Sequence, residues 1–513
     1  MDQSINKNRL FLASCVALIV TAMTFAIRAG ILTELSQTFE MTDTQLGWIN
    51  SMAFLGFPVA MIVGGLLYNQ IGPKLMMYAA FICHLLGLIL TITAGGFWGL
   101  IISTFFIGFA NGAVEAACNP LIADMYHDNQ TTMLNKFHVW FPGGIVIGSL
   151  IAAAMEGMNW QLQIGVMIIP TLIYAALIFG AKFPKIENIE SDTGRNIAGL
   201  ASPLFIFILI CMTLTATSEF GTTQWVDRIL GKAGANPMLI LALVTGVMAL
   251  GRFFAGGLVH RLNPSGVLWG SAIITTLGIF LLSISTGGMV YLAAFLFAIG
   301  ICYFWPTMIG FTAEYIPQTG ALGMSLVGGA GMFAMSIWNP VIGNWLDGHR
   351  SDQLVEATEI REDLNEAYTV TLAETEAMVP QLEKDVQSNP DLKNKLENQR
   401  TRLEALRTGF DEGGILVVFK DELAARSGAV DALKKADAPE AEIVTAKMNA
   451  APYNDLELTA GQKTLGNLAV FPGILIVLFG GLYFYMKNRD KEEPAADELI
   501  LNPDAKSTPG SAR

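Results

Sequence analysis

Residues 64–73 read GGLLYNQIGP, and residues 256–264 read GGLVHRLNP. At an offset of 192, Gly64, Gly65 and Leu66 fall on Gly256, Gly257 and Leu258. The same offset carries Ile107-Gly108 onto Ile299-Gly300 and Thr21 onto Thr213. One short match can arise by chance in a glycine-rich apolar chain. Three in register, joining the first, second and fourth apolar stretches to the seventh, eighth and tenth, indicate a six-plus-six duplication. Parallel halves around a central site are an architecture of membrane transporters.

The composition around these stretches agrees. Hydrophobic residues make up 52% of the 513 and charged residues 15%, where a soluble domain carries about 25% charged residues. Twelve apolar runs are expected to span, at roughly 11–33, 45–69, 74–94, 97–123, 135–156, 161–181, 203–226, 238–261, 265–286, 290–313, 320–345 and 465–486. A run of about 20 helical residues crosses a hydrocarbon layer about 30 Å thick. The fold class is therefore an all-α membrane protein of twelve transmembrane helices in two six-helix halves. Residues 1–181 form the first half, 182–202 a cytoplasmic linker, 203–346 the second half to its eleventh span, 347–464 a helical soluble insert, 465–486 the twelfth span, and 487–513 a disordered tail rich in Pro, Ala, Ser and acids. Lys7 and Arg9 ahead of the first run imitate a signal peptide, but the run is too long and eleven similar ones follow it.

Charge sets the orientation. Lys7, Arg9, Lys74, Lys136, Lys182, Lys185, Arg195, Arg261, Lys487, Arg489 and Lys491 all fall on one side when twelve spans are counted, while Glu34, Glu40 and Asp43 lie in the first loop of the other. Both termini are then cytoplasmic, in a multi-pass protein of the plasma (inner) membrane. The net charge of −13 is concentrated in the insert, where 24 Asp+Glu stand against 14 Lys+Arg. The acidity argues against a nucleic-acid partner and says little about a solute. Cys15, Cys83, Cys118, Cys211 and Cys302 all lie in apolar spans without metal-ligand spacing and read as small core residues.

The order of spans, the linker and the Gly-rich turns after spans two and eight resemble the major facilitator superfamily. Of that family's first-half turn signature, Gly65, Gly72 and Lys74 are present. Asn69 stands where the family has an acid, Gln70 where it has a base, and Pro73 in place of a second base. Gly251-Arg252 and Arg261 keep more of the pattern in the second half. Within the superfamily the chain resembles the fucose/glucose–proton symporters, through Glu115-Ala-Ala-Cys-Asn119-Pro120, through Leu134-Asn135, Phe137-His138 and Gly143-Gly144, and through Glu219 followed by Trp225. It departs from them in span one, where Arg28 or Ala29 occupies the place of a carboxylate. The resemblance implies a secondary active transporter with a small-molecule solute and protons as partners in a lipid bilayer, and no enzymatic activity or cofactor.

Ionisable groups within the apolar runs carry the candidate site, because a charge at mid-membrane costs about 2.5–3.5 kcal/mol even on insertion scales. Asn111, Glu115 and Asn119 repeat at i, i+4 and share one face of span four. They either line a cavity or glue helices together. Gly108 and Gly112 read as helix packing. Thr215, Glu219, Thr222 and Val226 share a face of span seven, and Thr24 and Arg28 one of span one. By helix rise, Arg28 and Glu219 lie about 25 Å from the cytoplasmic ends of their spans and Glu115 about 13 Å from its own. Two polar layers are expected, with Arg28 and Glu219 pairing across the halves when the outer ends close. His138, shallower, is either a site residue or a helix cap. Tyr303 and Trp305, beside Pro306, offer aromatic faces for a sugar ring or simply pack around a kink, and Trp338-Asn339-Pro340 is equally ambiguous.

No phosphate-binding loop of the Walker type, no Ser/His/Asp constellation and no zinc spacing is evident. Three functions compete: a proton-coupled sugar transporter; an organic-anion transporter, for sugar acids or carboxylates, that binds its solute through Arg28; and a transporter-like sensor whose insert binds a partner of unknown identity. In the insert, Leu392, Leu396, Leu403 and Leu406 form a helical stripe, and Pro380, Pro390, Pro439 and Pro452 are expected to divide it into short helices.

Overall fold

The computed structural model describes residues 5–31, 35, 38–39, 43–155, 158–184, 193–230, 232–235, 237–388 and 392–501. Among these the chain is helical and without strands. The first half comprises α1 (Lys7–Gly30), α2 (Asp43–Ile92), α3 (Phe97–Met125), α4 (Gln130–His138), α5 (Trp140–Ala154), α6 (Trp160–Val166) and α7 (Ile168–Ile178). After α8 (Thr193–Gly199), the second half runs through α9 (Pro203–Leu230), α10 (Pro237–Phe253), α11 (Ala255–Leu282), α12 (Met289–Ile301), α13 (Phe304–Tyr315) and α14 (Gly320–Glu356). The insert contributes α15 (Thr358–Ser388), α16 (Lys393–Arg407), α17 (Ile415–Lys435) and α18 (Glu440–Leu468), and α19 (Val470–Leu501) follows.

The two quoted stretches end at the turns that define the repeat. In α2 the helix breaks at Gly72, whose φ of 74° suits a residue without Cβ, and Pro73 starts the next pass. In α11 the break falls on Asn263, with φ 50°, followed by Pro264. The Asn263 side chain caps the new pass by accepting the Gly266 N–H (3.0 Å) and the Ser265 hydroxyl (2.9 Å). Each half thus reverses direction at a residue of positive φ followed by proline.

Nine helices among the described residues are long and apolar enough to cross a membrane. One of them, Trp48–Ile92, spans 45 residues and contains the Gly72 break, so it provides two passes. The broken pair α4 and α5 and the shorter apolar helix Leu239–Phe253 occupy the positions of the other two expected spans. Within the first half, α3 lies backbone to backbone on α2. A Cβ at Gly108 would collide with the main chain of Ala53, and one at Gly112 with the carbonyl of Phe57. These glycines serve close packing, as expected.

Two ends of the bundle can be distinguished by what lies there. At the linker end, the Thr131 N–H of α4 donates to Glu314 Oε1 of α13 at 2.9 Å, and the Thr131 side chain packs on Gly310. Gly65 of α2 lies directly against Ser325 and Leu322 of α14. The halves are therefore closed on each other at that end. The linker helix α8 docks there as well, with Gly199 against Gln318 and Asn196 against Gly320.

At the opposite, insert end, α14 continues out of the bundle to Glu356 and α18 returns into it. Arg350 joins the two. Its Nε donates to Glu457 Oε2 at 2.7 Å, its Nη2 to Glu457 Oε1, and its Nη1 to Asp347 Oδ1 at 2.6 Å. Above this pair the insert has a core of its own, in which Leu354, Leu364, Leu406, Val418, Phe419, Tyr453 and Leu456 meet. Leu396 and Leu403 of the expected stripe pack with Val379 and Leu382. Two expectations fail here. Pro380 and Pro452 do not divide the insert but sit inside α15 and α18. Each removes one helical donor, and the carbonyls so freed, of Glu376 and Met448, belong to exposed residues that water can serve. The segment from Lys487, expected to be disordered, continues α19 as helix to Leu501; residues 502–513 of the tail lie outside the described residues, as does 185–192 of the linker.

Candidate functional site

The polar residues of α3 diverge along the helix. Asn111 faces the interior of its own half: its Nδ2 donates to Thr24 Oγ1 of α1 at 3.0 Å, and its Oδ1 accepts from His84 Nε2 at 2.8 Å. His84 Nδ1 in turn meets the Tyr174 hydroxyl of α7 at 3.0 Å. A ring nitrogen facing an amide oxygen must donate, so the tautomer follows, with Nδ1 accepting from Tyr174. This chain ties α1, the second pass of α2, α3 and α7 together, which is the helix-gluing alternative rather than a cavity wall. His84 and Tyr174 were not singled out from sequence; a lone His in an apolar run was the available signal.

One and two turns further on, α3 enters the interface between halves. Asn119 Nδ2 donates to Glu115 Oε2 at 3.2 Å, and Asn119 Oδ1 accepts from His138 Nε2 of α4 at 3.0 Å. From the other half, Trp305 Nε1 of α13 donates to the same Glu115 oxygen at 3.2 Å. Glu115, Asn119 and His138 are all buried. The indole of Trp305 is held edge-on by Phe57 of the first half and Phe220 of the second, with ring centroids 6.5 and 5.8 Å away, and packs against Gly328 and Gly331 of α14. Its N–H is thereby aimed at a carboxylate that belongs to the opposite half.

Sequence reasoning set the resident cation of the site aside as part of a turn pattern. Arg252, in the last turn of α10, is among the largest fully buried side chains. Its Nε donates to the Cys302 carbonyl at 2.6 Å, its Nη1 to the His138 carbonyl at 3.1 Å, and its Nη2 to Glu219 Oε1 at 3.5 Å. Glu219 is therefore held by Arg252 of its own half. Arg28, expected to pair with Glu219 only when the outer ends close, lies over the Phe25 ring at 5.3 Å in this linker-end-closed state, and its Nη1 has no hydrogen-bond partner. The two expected layers are also bridged, because Arg252 is long enough to reach from Glu219 to the backbone of His138. A mid-span cation in VMALGRFF was the signal for it.

The remaining candidates sit at the edges. The Tyr303 hydroxyl donates to the Gly251 carbonyl at 2.9 Å, which pins the helix break in front of α13 beside Arg252. Thr222 is buried with its Oγ1 unpartnered, beside Ile240, Val244 and Phe297 at a small cavity. Trp225, next along α9, donates to Asn339 Oδ1 at 3.2 Å, so Asn339 links α9 to α14. The side chain of Val226 lies outside the described residues. No group of three or more His, Cys, Asp or Glu capable of holding a metal occurs among the described residues.

A buried carboxylate shared by two helical halves that close at one end is the geometry of a carrier. A family model described as Major Facilitator Superfamily matches residues 13–339. The chain belongs to that superfamily. Membership in that superfamily and the long apolar helices together make it a multi-pass membrane protein.

The curated relatives add detail. The chain is 28% identical over 195 residues to the solute carrier family 2, facilitated glucose transporter member 10 of Xenopus tropicalis, covering 36% of this chain and 35% of that protein. It is 24% identical over 187 residues to the arabinose-proton symporter of Escherichia coli (strain K12), covering 36% and 39%. The matched regions thus span little more than a third of these relatives. The solved structure of FucP, a fucose:proton symporter of E. coli, in its outward conformation superposes with a TM-score of 0.56 at 18% identity, over 66% of this chain and 92% of that one. Such a likeness establishes the common superfamily fold.

Proposed function

We propose that the protein is a secondary active transporter that moves a small polar solute, a sugar, by alternating access, coupled to protons through Glu115. The observation that carries this reading is the hydrogen bond from Trp305 to Glu115. A proton acceptor bonded across the halves while the linker end is closed has to lose that partner when the end opens. A group whose environment changes with the transport cycle can load a proton on one side and release it on the other. Relatives named for glucose, arabinose and fucose support a sugar as solute, and two of the names include a proton. The indole and phenyl faces around Trp305 suit the apolar face of a pyranose. The charge asymmetry of the loops supports a plasma (inner) membrane protein with both termini cytoplasmic. The test is uptake by proteoliposomes across a panel of neutral and acidic sugars, with internal pH followed in parallel. Accumulation of a neutral sugar with acidification of the lumen supports the reading, and sugar uptake without proton movement removes the coupling.

Arg28 favours a second reading, an organic-anion transporter. It is buried, and a guanidinium with an unfilled Nη1 is a ready carboxylate receptor. In that case a sugar acid outcompetes its neutral parent, and Arg28→Lys lowers affinity for the acid roughly tenfold or more, because a bidentate fork becomes a point charge.

A further inference from the structure

The two carbonyls that Arg252 fills share a cause. In an α-helix each carbonyl accepts the N–H four residues on. Four residues after His138 stands Pro142, and four after Cys302 stands Pro306. Neither proline has an N–H to give. Both freed carbonyls belong to buried residues, where an unfilled acceptor is costly. Arg252 supplies both, Nε to Cys302 at 2.6 Å and Nη1 to His138 at 3.1 Å, while its third nitrogen holds Glu219. Cys302 and Glu219 belong to the same half as Arg252, and His138 belongs to the other.

We propose that Arg252 is the latch of the linker-end-closed state, a positioning residue that bonds the proline-freed carbonyl of His138 across the halves and must let go of it when that end opens. The three acceptors lie in different directions and each takes a different nitrogen of one planar guanidinium, a demand that a lysine ammonium at the end of a flexible stem does not meet. The bonds to Cys302 and Glu219 keep the guanidinium aimed while the His138 bond breaks, so the latch can re-form without a search. The inference rests on alternating access in this superfamily fold and is independent of which solute or ion is carried.

The test reads the linker end directly. Ser325 is buried and covered by Gly65 of the opposite half, so Ser325→Cys creates a thiol reachable only when that end opens. Its maleimide labelling rate in proteoliposomes, corrected for the parent with its native cysteines, reports the open population. Arg252→Lys is expected to raise the rate at least about tenfold, the equivalent of one well-made buried hydrogen bond. Pro142→Ala gives the His138 carbonyl a donor within its own helix and is expected to raise the rate as well. Pro306→Ala does the same for Cys302, whose bond stays within one half and only aims the guanidinium, and is expected to raise the rate less than Pro142→Ala does. If Arg252→Lys fails to fold, the comparison of the two proline variants still decides. Equal rates in Pro142→Ala and Pro306→Ala, or an unchanged rate in a folded Arg252→Lys, would overturn the latch. Failure of sugar or proton transport in the unsubstituted protein would leave these rates untouched and bear only on the proposed function.

Discussion

The base of the insert gives the prediction whose magnitude follows most directly from geometry. Arg350 and Glu457 form a two-pronged ion pair between α14 and α18, and both side chains are more than nine-tenths buried. Replacing Arg350 by Met leaves the Glu457 carboxylate buried without its cation, at a cost of about 3–5 kcal/mol. Asp347 is not stranded as well, because Lys420 remains 3.0 Å from it. Replacing Glu457 by Met alone leaves the guanidinium with Asp347 and should cost less, because one acceptor survives. The double variant Arg350→Met with Glu457→Met exchanges an ion pair for two apolar side chains and should return to within about 1 kcal/mol of the parent, since a buried pair seldom outweighs a hydrophobic substitute. The assay is limited proteolysis within α18, which follows the local opening equilibrium when reclosing is fast. At 1.4 kcal/mol per decade, the single Arg350 variant should be cut on the order of a hundredfold faster or more. A single variant cut no faster than the parent, or a double variant as labile as the single, would show that the pair does not hold the insert to the bundle.

Three other outcomes are expected. Trp305→Phe keeps the aromatic packing on Phe57 and Phe220 but removes the N–H offered to Glu115. The bond is worth about 0.5–3 kcal/mol depending on the charge of the acceptor, so labelling of Ser325→Cys should rise between about twofold and a hundredfold. Replacing residues 358–451 by a short flexible linker should leave a folded carrier that still binds solute in an equilibrium binding assay, because the Arg350–Glu457 clamp stays in place and Glu115 with its partners Asn119, His138 and Trp305 lies outside the replaced segment. Replacing 350–460, which removes both partners of the clamp, should also insert but with a lower melting temperature, as the junction then keeps the contacts of Gly461 with Ile229, of Gln462 with the Ser285 carbonyl and of Asn467 with His349 but loses the ion pair.

The fold was readable because its signal is local and repeated. Apolar runs and an offset of 192 need no knowledge of tertiary contacts, and the two prolines that end the quoted stretches mark the turns that the structure places there. The site was readable only in part. Spacing placed Asn111, Glu115 and Asn119 on one face of a helix, but a face eight residues long rises about 12 Å and meets different neighbours along its length. Asn111 falls against α1 and α2, whereas Glu115 and Asn119 fall against α4 and α13. Depth along a helix axis suggested Arg28 as the partner of Glu219 when the outer ends close, a state other than the linker-end-closed one seen here, and it gave no hint that Arg252 of the adjacent helix holds Glu219 in this state. The role of Arg252 depends on carbonyls freed by prolines far away in sequence, which no local pattern connects. In the insert, proline was treated as a breaker, and the exposed helices α15 and α18 absorb it.

The claim at the centre of this account is that Glu115 carries the coupled proton, and its most direct test separates coupling from translocation. Glu115→Gln keeps the shape and the hydrogen bonds from Asn119 and Trp305 while fixing the group in a neutral form. In proteoliposomes holding unlabelled sugar on both sides, equilibrium exchange of labelled sugar should continue near the parent rate. Under an imposed proton gradient, accumulation above equilibrium should vanish, along with sugar-dependent acidification of the lumen. Uphill accumulation that persists in Glu115→Gln would contradict the account.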